Sequence, residues 1–225
     1  MEDCLEVRNW PPARLPAAVV LQGRWARLEP LNAEAHTAAI WAAVQGHDDV
    51  WDWLGDGPFE SEEDLSASLA AKAAGAGARF LAILPEGGGG AAGYASLMRM
   101  DAANGVIEVG NVLFTPVLQR TRAATEAMYL MARHVFEDLG YRRYEWKCNA
   151  LNLPSMRAAK RFGFTYEGTF RQHMVIKGKN RDTAWFSMLD GEWPARKRAF
   201  EAWLIPENFD VAGRQISALN AELRV

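Results

Sequence analysis

Cysteine and histidine are scarce in this chain, long apolar runs are missing, and positive charge is not in excess; each shortage removes a class of function. Two cysteines in 225 residues, Cys4 and Cys148, stand far apart with no Cys-x-x-Cys or His-rich neighbour. Neither a disulfide framework nor a zinc site is expected, and no metal ligands are assigned. That usage fits a reducing, cytoplasmic setting. No segment reaches the ~18 consecutive apolar residues of a membrane-spanning helix. The first twenty residues contain Glu2, Asp3, Pro11, Pro12 and Pro16, with neither a basic start nor a continuous apolar stretch, so they do not read as a secretory leader. A soluble protein without a membrane partner is expected. Net charge is −3, which argues against general nucleic-acid binding, a property built on neutralising phosphates.

What the chain does have is apolar content. At 49% it is enough for one substantial core. Its charge is unevenly divided: residues 1–115 sum to −9 and residues 116–225 to +6. Two such halves forming one cleft would suit an anionic ligand on one side and a cationic one on the other; an unevenly charged, solvated surface is the alternative.

Periodicity organises the middle of the chain. Trp25, Ala26, Arg27 and Leu28 alternate as a half-buried strand does, and Ala33 to Val44 keeps helical spacing behind a capping Asn32. The segment QGHDDVWDWLGDGPF reads as a loop. Ser61 and the acids after it open a second helix to about Ala74. Arg79–Leu84 and Ala91–Met100 form a hairpin across EGGGG, and Asn104-Gly105 turns the chain into a third strand, Val106 to Phe114. After Pro116 a helix keeps Ala124, Ala127, Met128, Met131, Val135 and Leu139 on one face and ends at Gly140. A strand from Tyr144 to Cys148, a short helix opened by Asn152 and Pro154 and stopped at Gly163, and strands around Tyr166–Ile176 and Thr183–Leu189 follow. The fold class is mixed α/β (α+β): one central, mostly antiparallel sheet of about seven strands flanked by helices. Residues 1–22 read as an extension, 23–193 as the domain, and 194–225 as a tail with a short helix, expected to cover a sheet edge or meet a second subunit in a homodimer.

The most informative stretch is VIEVGNVLFTPVLQRTRAATEA, from Val106 to Ala127. A strand ends, a basic turn of small residues follows, and a helix begins at once. Such a turn leaves backbone N–H groups open, and with the helix dipole they favour phosphate. An ordinary capped helix start is the bland alternative.

Together, VIEVGNVLF, QRTRAAT, NLPSMRAAKRFGF and FRQHMVIKGKNRDTAWFSML resemble the GNAT superfamily of N-acetyltransferases, within it the RimJ/RimL-like branch. The resemblance implies an acetyl-CoA-dependent enzyme acting on a primary amine, either a protein N-terminus or a small amine, by direct attack on the thioester. A catalytically idle CoA-binding module is the competing reading. The resemblance places pyrophosphate on Gln119, Arg120, Thr121, Arg122, Ala123, Ala124 and Thr125, with Arg122 standing where the family usually has glycine and compensating by charge. It implies that pantetheine pairs with the main chain of Val112, Leu113 and Phe114, that Asn152 bonds the pantetheine arm, and that Ser155 lies near the sulfur. Arg157, Lys160 and Arg161 form a basic helix side that meets either phosphate or solvent. Glu108 is the first-choice base and His173 the second. Trp51, Trp53 and Phe59, beside the aspartates of their loop, are assigned to the acceptor, or else plug a core.

Overall fold

The computed structural model describes residues 10–219; Cys4 lies outside them. The strands are β1 (Leu21–Gln22), β2 (Ala26–Pro30), β3 (Ala78–Pro85), β4 (Gly93–Asp101), β5 (Val106–Phe114), β6 (Arg143–Asn149), β7 (Thr165–Ile176) and β8 (Lys179–Leu189). They form one eight-stranded sheet in the order β1-β2-β3-β4-β5-β6-β8-β7. Every pairing is antiparallel except β5 with β6. The strand beyond the expected seven is the two-residue β1, which pairs with β2.

The helices are α1 (Ala33–Val44), α2 (Glu62–Ala74), α3 (Arg122–Arg133), α4 (Leu153–Arg161) and α5 (Trp193–Leu204). Four of them start where a side-chain oxygen takes up an orphan N–H: Asn32 from Ala35, Ser61 from Asp64, Thr121 from Ala124 and Asn152 from Ser155, at 3.0–3.1 Å. Each such cap is worth ~1 kcal/mol. Beyond Arg133 the chain runs on through a π turn, His134–Asp138. There the Leu139 N–H reaches back to the His134 carbonyl at 3.0 Å, while His134 Nδ1 meets the Asp138 carboxylate at 2.7 Å.

The helices divide between the two faces of the sheet. Leu31, Ile40, Leu65 and Leu69, from the α1–α2 side, pack with Ala82, Tyr94 and Leu113. On the other face, α3 and α5 bury Ala127, Met128, Met131, Phe200 and Trp203 with Leu28, Ile83, Ile107 and Val109. Each large apolar side chain so buried contributes ~1.5–3 kcal/mol before entropy is counted.

Two bulges flank the middle of β4 and β5. Tyr94 pairs with Leu113 and Ser96 with Gly110, so β5 carries one extra residue, and Asn111 takes φ +49°. A second shift lies between Met98 and Asp101, with Arg99 at φ +49°. Bulges bend a strand and increase its local twist. Here they frame Glu108.

Candidate active site

The parallel ladder between β5 and β6 is short. It runs from Val106↔Arg143 to Val109↔Trp146 and stops there. Past that point Gly110–Phe114 stays with β4, and Lys147–Asn149 stays with β8. The two strands part, and each keeps an edge of main-chain groups facing the gap. Val112, Leu113 and Phe114 lie on the β5 side of the opening. Leu113 is buried against the α1–α2 core, so in this segment it is the backbone that is offered. An open edge of N–H and C=O groups accepts an extended amide-containing chain as another strand would.

The end of β5 leads directly to α3. Gln119 donates its side-chain amide to the Phe114 carbonyl at 2.9 Å, tying the turn to the strand. Arg120 holds φ +60°. The left-handed position of the turn is therefore 120, whereas Arg122, at the family's glycine position, begins α3. Arginine at 122 thus carries no left-handed backbone cost. Thr121 caps the helix, and Ala123, Ala124 and Thr125 are buried in its first turn. Among the described residues, the N–H groups of Arg120, Arg122 and Ala123 have no acceptor. Three open donors at the positive end of a helix form an anion cradle.

Two guanidinium groups stand beside it. Arg122 lies 3.9 Å from the ring centroid of Trp25 and 4.9 Å from that of Phe209. Arg161 donates to Thr125 Oγ1 at 3.1 Å and lies 4.9 Å from the ring of Trp203. Burial pushes the Arg161 pKa down. Neither has a carboxylate partner among the described residues. Trp25 is held by its indole N–H on the Leu204 carbonyl at 2.9 Å. The buried Glu126 carboxylate accepts the N–H groups of Arg24, Trp25 and Ala26 at 2.9, 2.5 and 2.7 Å. Arg157 and Lys160 are exposed on α4.

At the start of α4, Asn152 spends its Oδ1 on the Ser155 N–H, and its amide nitrogen has no partner among the described residues. Ser155 Oγ accepts the indole N–H of Trp146 at 3.0 Å. Burial pushes the Cys148 thiol up, partly offset by a hydrogen bond from Ser155 and the charge of Arg181.

Glu108 points to the α1–α2 side of the sheet and is 4% exposed. Its Oε2 lies 2.9 Å from Lys147 Nζ and 3.4 Å from Arg99 Nη1. Lys147 also meets Glu145 at 2.7 Å and sits 3.8 Å from the Trp185 ring centroid. His173 is exposed on β7, with Nδ1 3.0 Å from Thr183 Oγ1 and its ring near Phe170 and Trp185. The α1–α2 connection reaches this hairpin through Lys177 Nζ, which donates to the Trp51 carbonyl at 3.0 Å. Trp51 is buried and meets Phe59 edge-on at 5.0 Å, inside the α1–α2 core, while Trp53 is 43% exposed. Trp41, Gln45, Asp48, Trp51, Phe59 and Glu60 line a cavity of about 150 Å³ behind it.

The sequence reading missed Lys147, Arg99, Arg181 and Glu126. The first had a signal: Lys147 alternates with Tyr144, Trp146 and Cys148, so it faces away from the apolar side of its strand. No group of three or more His, Cys, Asp or Glu residues suited to a metal ion occurs among the described residues, and no described helix is long and apolar enough to cross a membrane.

The parallel pair that splits and the open helix start lie within residues 26–165, which match the family model of the acetyltransferase (GNAT) domain. The chain belongs to the GNAT acetyltransferase family. It is similar to the crystal structure of a GCN5-related N-acetyltransferase from Brucella melitensis, with 48% identity, a TM-score of 0.92, and 95% of this chain and 97% of that one covered. A probable acetyltransferase of the GNAT family from Chromobacterium violaceum ATCC 12472 shares 41% identity at a TM-score of 0.80, with 86% and 98% covered. An uncharacterized N-acetyltransferase, YnaD, from Bacillus subtilis (strain 168) is 29% identical over 86 residues, 38% of this chain and half the length of that relative.

Proposed function

We propose that this chain transfers an acetyl group from acetyl-CoA to a primary amine, a protein N-terminus or a small amine, by direct attack of the amine on the thioester. The single observation that carries the reading is the parting of β5 and β6 immediately after Val109↔Trp146, with open N–H groups at the α3 start. When bound, the cosubstrate supplies the activated acyl group. The main chain of Val112–Phe114 and the free amide nitrogen of Asn152 hold its pantetheine arm. The N–H groups of Arg120, Arg122 and Ala123, with the Arg122 and Arg161 charges, hold its phosphates.

Attack needs a neutral nitrogen and a place for the released proton. Glu108, ion-paired with Lys147 and Arg99, serves as base, and His173 is the second candidate. Ser155 stands beside the departing thiolate as a hydrogen-bond donor. Trp51 and Phe59 sit in the α1–α2 core, so Trp53 is the aromatic of that loop left to wall the acceptor side. The resemblance to the RimJ/RimL-like branch, which covers protein N-termini and small amines alike, supports this acceptor range in a cytoplasmic setting.

Calorimetry with acetyl-CoA and a thiol-release assay over a panel of amines and peptides test the proposal. Binding and amine-dependent thiol release are expected. Binding without release for every acceptor would mark a catalytically idle CoA-binding module instead.

A further inference from the structure

Around Glu108, the strand residues that share its face carry one more cation than carboxylate. Arg143 and Glu167 pair with each other at the outer margin, at 2.5–2.8 Å. Inside that pair stand the carboxylates of Glu108 and Glu145 and the cations Lys147, Arg99 and Arg181. Arg181 is the surplus charge. Its side chain makes no hydrogen bond and no ion pair among the described residues, and its Nε is buried without a partner.

Its position follows from the ladder. Arg181, Thr183 and Trp185 alternate with Ala184 and Phe186, and Trp185 pairs with Lys147, so all three share the Glu108 face. The pairing of β6 with β8 ends at Asn149↔Thr183. Arg181 comes just past that end, where β5 and β6 have already parted. Burial works against its charge, the Cys148 thiol and Glu108 work to retain it, and Arg99 opposes it, so its head group lies within electrostatic reach of all three.

A guanidinium whose Nε is buried and unpaired is costly, and a carboxylate relieves that cost through two parallel N–H···O bonds. An amine approaching as an ammonium would meet one excess positive charge. An amine that brings its own carboxylate cancels it. We propose that Arg181 recognises a carboxylate on the acceptor, and that the acceptor is a small zwitterionic, amino-acid-like amine. Trp185, whose buried Nε1 also has no partner, is the second unspent donor on this face. The assignment rests on the acetyl-transfer reading and narrows its acceptor.

The test measures thiol release from acetyl-CoA with the twenty common α-amino acids, their carboxamides, and peptides beginning with the same residues. Saturation-transfer NMR reads binding of each acid to the CoA-saturated protein. At least one acid is expected to bind and to react about 10- to 100-fold faster than its amide, the range for a charge-assisted contact. Arg181→Met is expected to collapse that acid-to-amide ratio by a similar factor, and Trp185→Phe by less. Unchanged acetyl-CoA affinity and thermal midpoint would show that both variants are folded.

Equal losses for acid and amide in Arg181→Met would assign Arg181 to the thioester oxygen and overturn the proposal. So would a peptide outperforming the matching acid, or no acid binding at all. Acetyl-CoA binding with no turnover of any amine would instead overturn the acetyl-transfer reading beneath it.

Discussion

Removing the Glu126 carboxylate tests whether the start of α3 is held in place from the opposite end of the fold. Its oxygens accept three main-chain N–H groups, those of Arg24, Trp25 and Ala26, and the side chain is 5% exposed. Gly23 makes the approach possible, because a Cβ there would overlap the carboxylate. In Glu126→Ala the exposed Arg24 recovers water, but the N–H groups of Trp25 and Ala26 do not. Each buried donor left without an acceptor costs ~1–3 kcal/mol, and loss of the carboxylate's own desolvation penalty offsets part of the sum. A net loss of about 3 kcal/mol is expected. Glu126→Gln keeps one carbonyl oxygen for Trp25 and Ala26 and forfeits only the charge and the Arg24 bond, about 1–2 kcal/mol. Urea unfolding reads both as a fall in midpoint at unchanged slope. A loss under ~1 kcal/mol for alanine, or equal losses for the two variants, would refute the reasoning.

Three further substitutions probe the site and its margin. Glu108→Gln is expected to lower turnover by about 100-fold, within the usual range for a general base, while the acetyl-CoA dissociation constant stays within a few-fold; wild-type turnover would exclude Glu108 as base. Arg122→Glu reverses the charge beside the open N–H groups and is expected to weaken acetyl-CoA binding by at least about 10-fold, and an unchanged constant by calorimetry would remove Arg122 from the site. The hydrogen bond from Arg143 holds the Glu167 carboxyl below its ordinary 4.5. A carboxylate lowered on folding adds stability that is complete above the unfolded value and fades as pH falls through the folded one. Thermal midpoints measured below pH 5 should therefore fall less steeply in Glu167→Gln than in wild type, and parallel curves would dismiss the pair as a pH-dependent contributor.

Local chemistry was legible in the sequence. Asn32, Ser61 and Asn152 announce their helices because a cap is a contact over three residues, whereas the helix expected after Pro116 begins only at Arg122 behind Thr121; the alternation of Val106–Phe114 announces its strand. The parting of β5 and β6 was available only through the family resemblance, since no residue within either strand encodes where its neighbour stops. Asn111 and Arg99 were invisible for a related reason: their left-handed backbones serve bulges set by strand register rather than by glycine. Glu126 sits on a helix pattern that reads as any partly polar face, and its partners lie 100–102 positions away. The charge halves left open either a cleft with one sign on each side or an unevenly charged, solvated surface. In the fold Arg99 and Lys147, one from each half, pair with Glu108 on one face.

The bond from Trp25 to Leu204 spans 179 positions, and it has a bearing on synthesis. A chain growing from its N-terminus completes β5, the turn and α3 well before Leu204 and Phe209 emerge. Until then Trp25 lacks the carbonyl that fixes its ring, and Arg122 has one aromatic neighbour instead of two. The turn and the start of α3 are thus translated before the surroundings that orient Arg122 exist. A nascent chain arrested before residue 204 would display the turn and α3 without the bracing of Trp25 and Arg122.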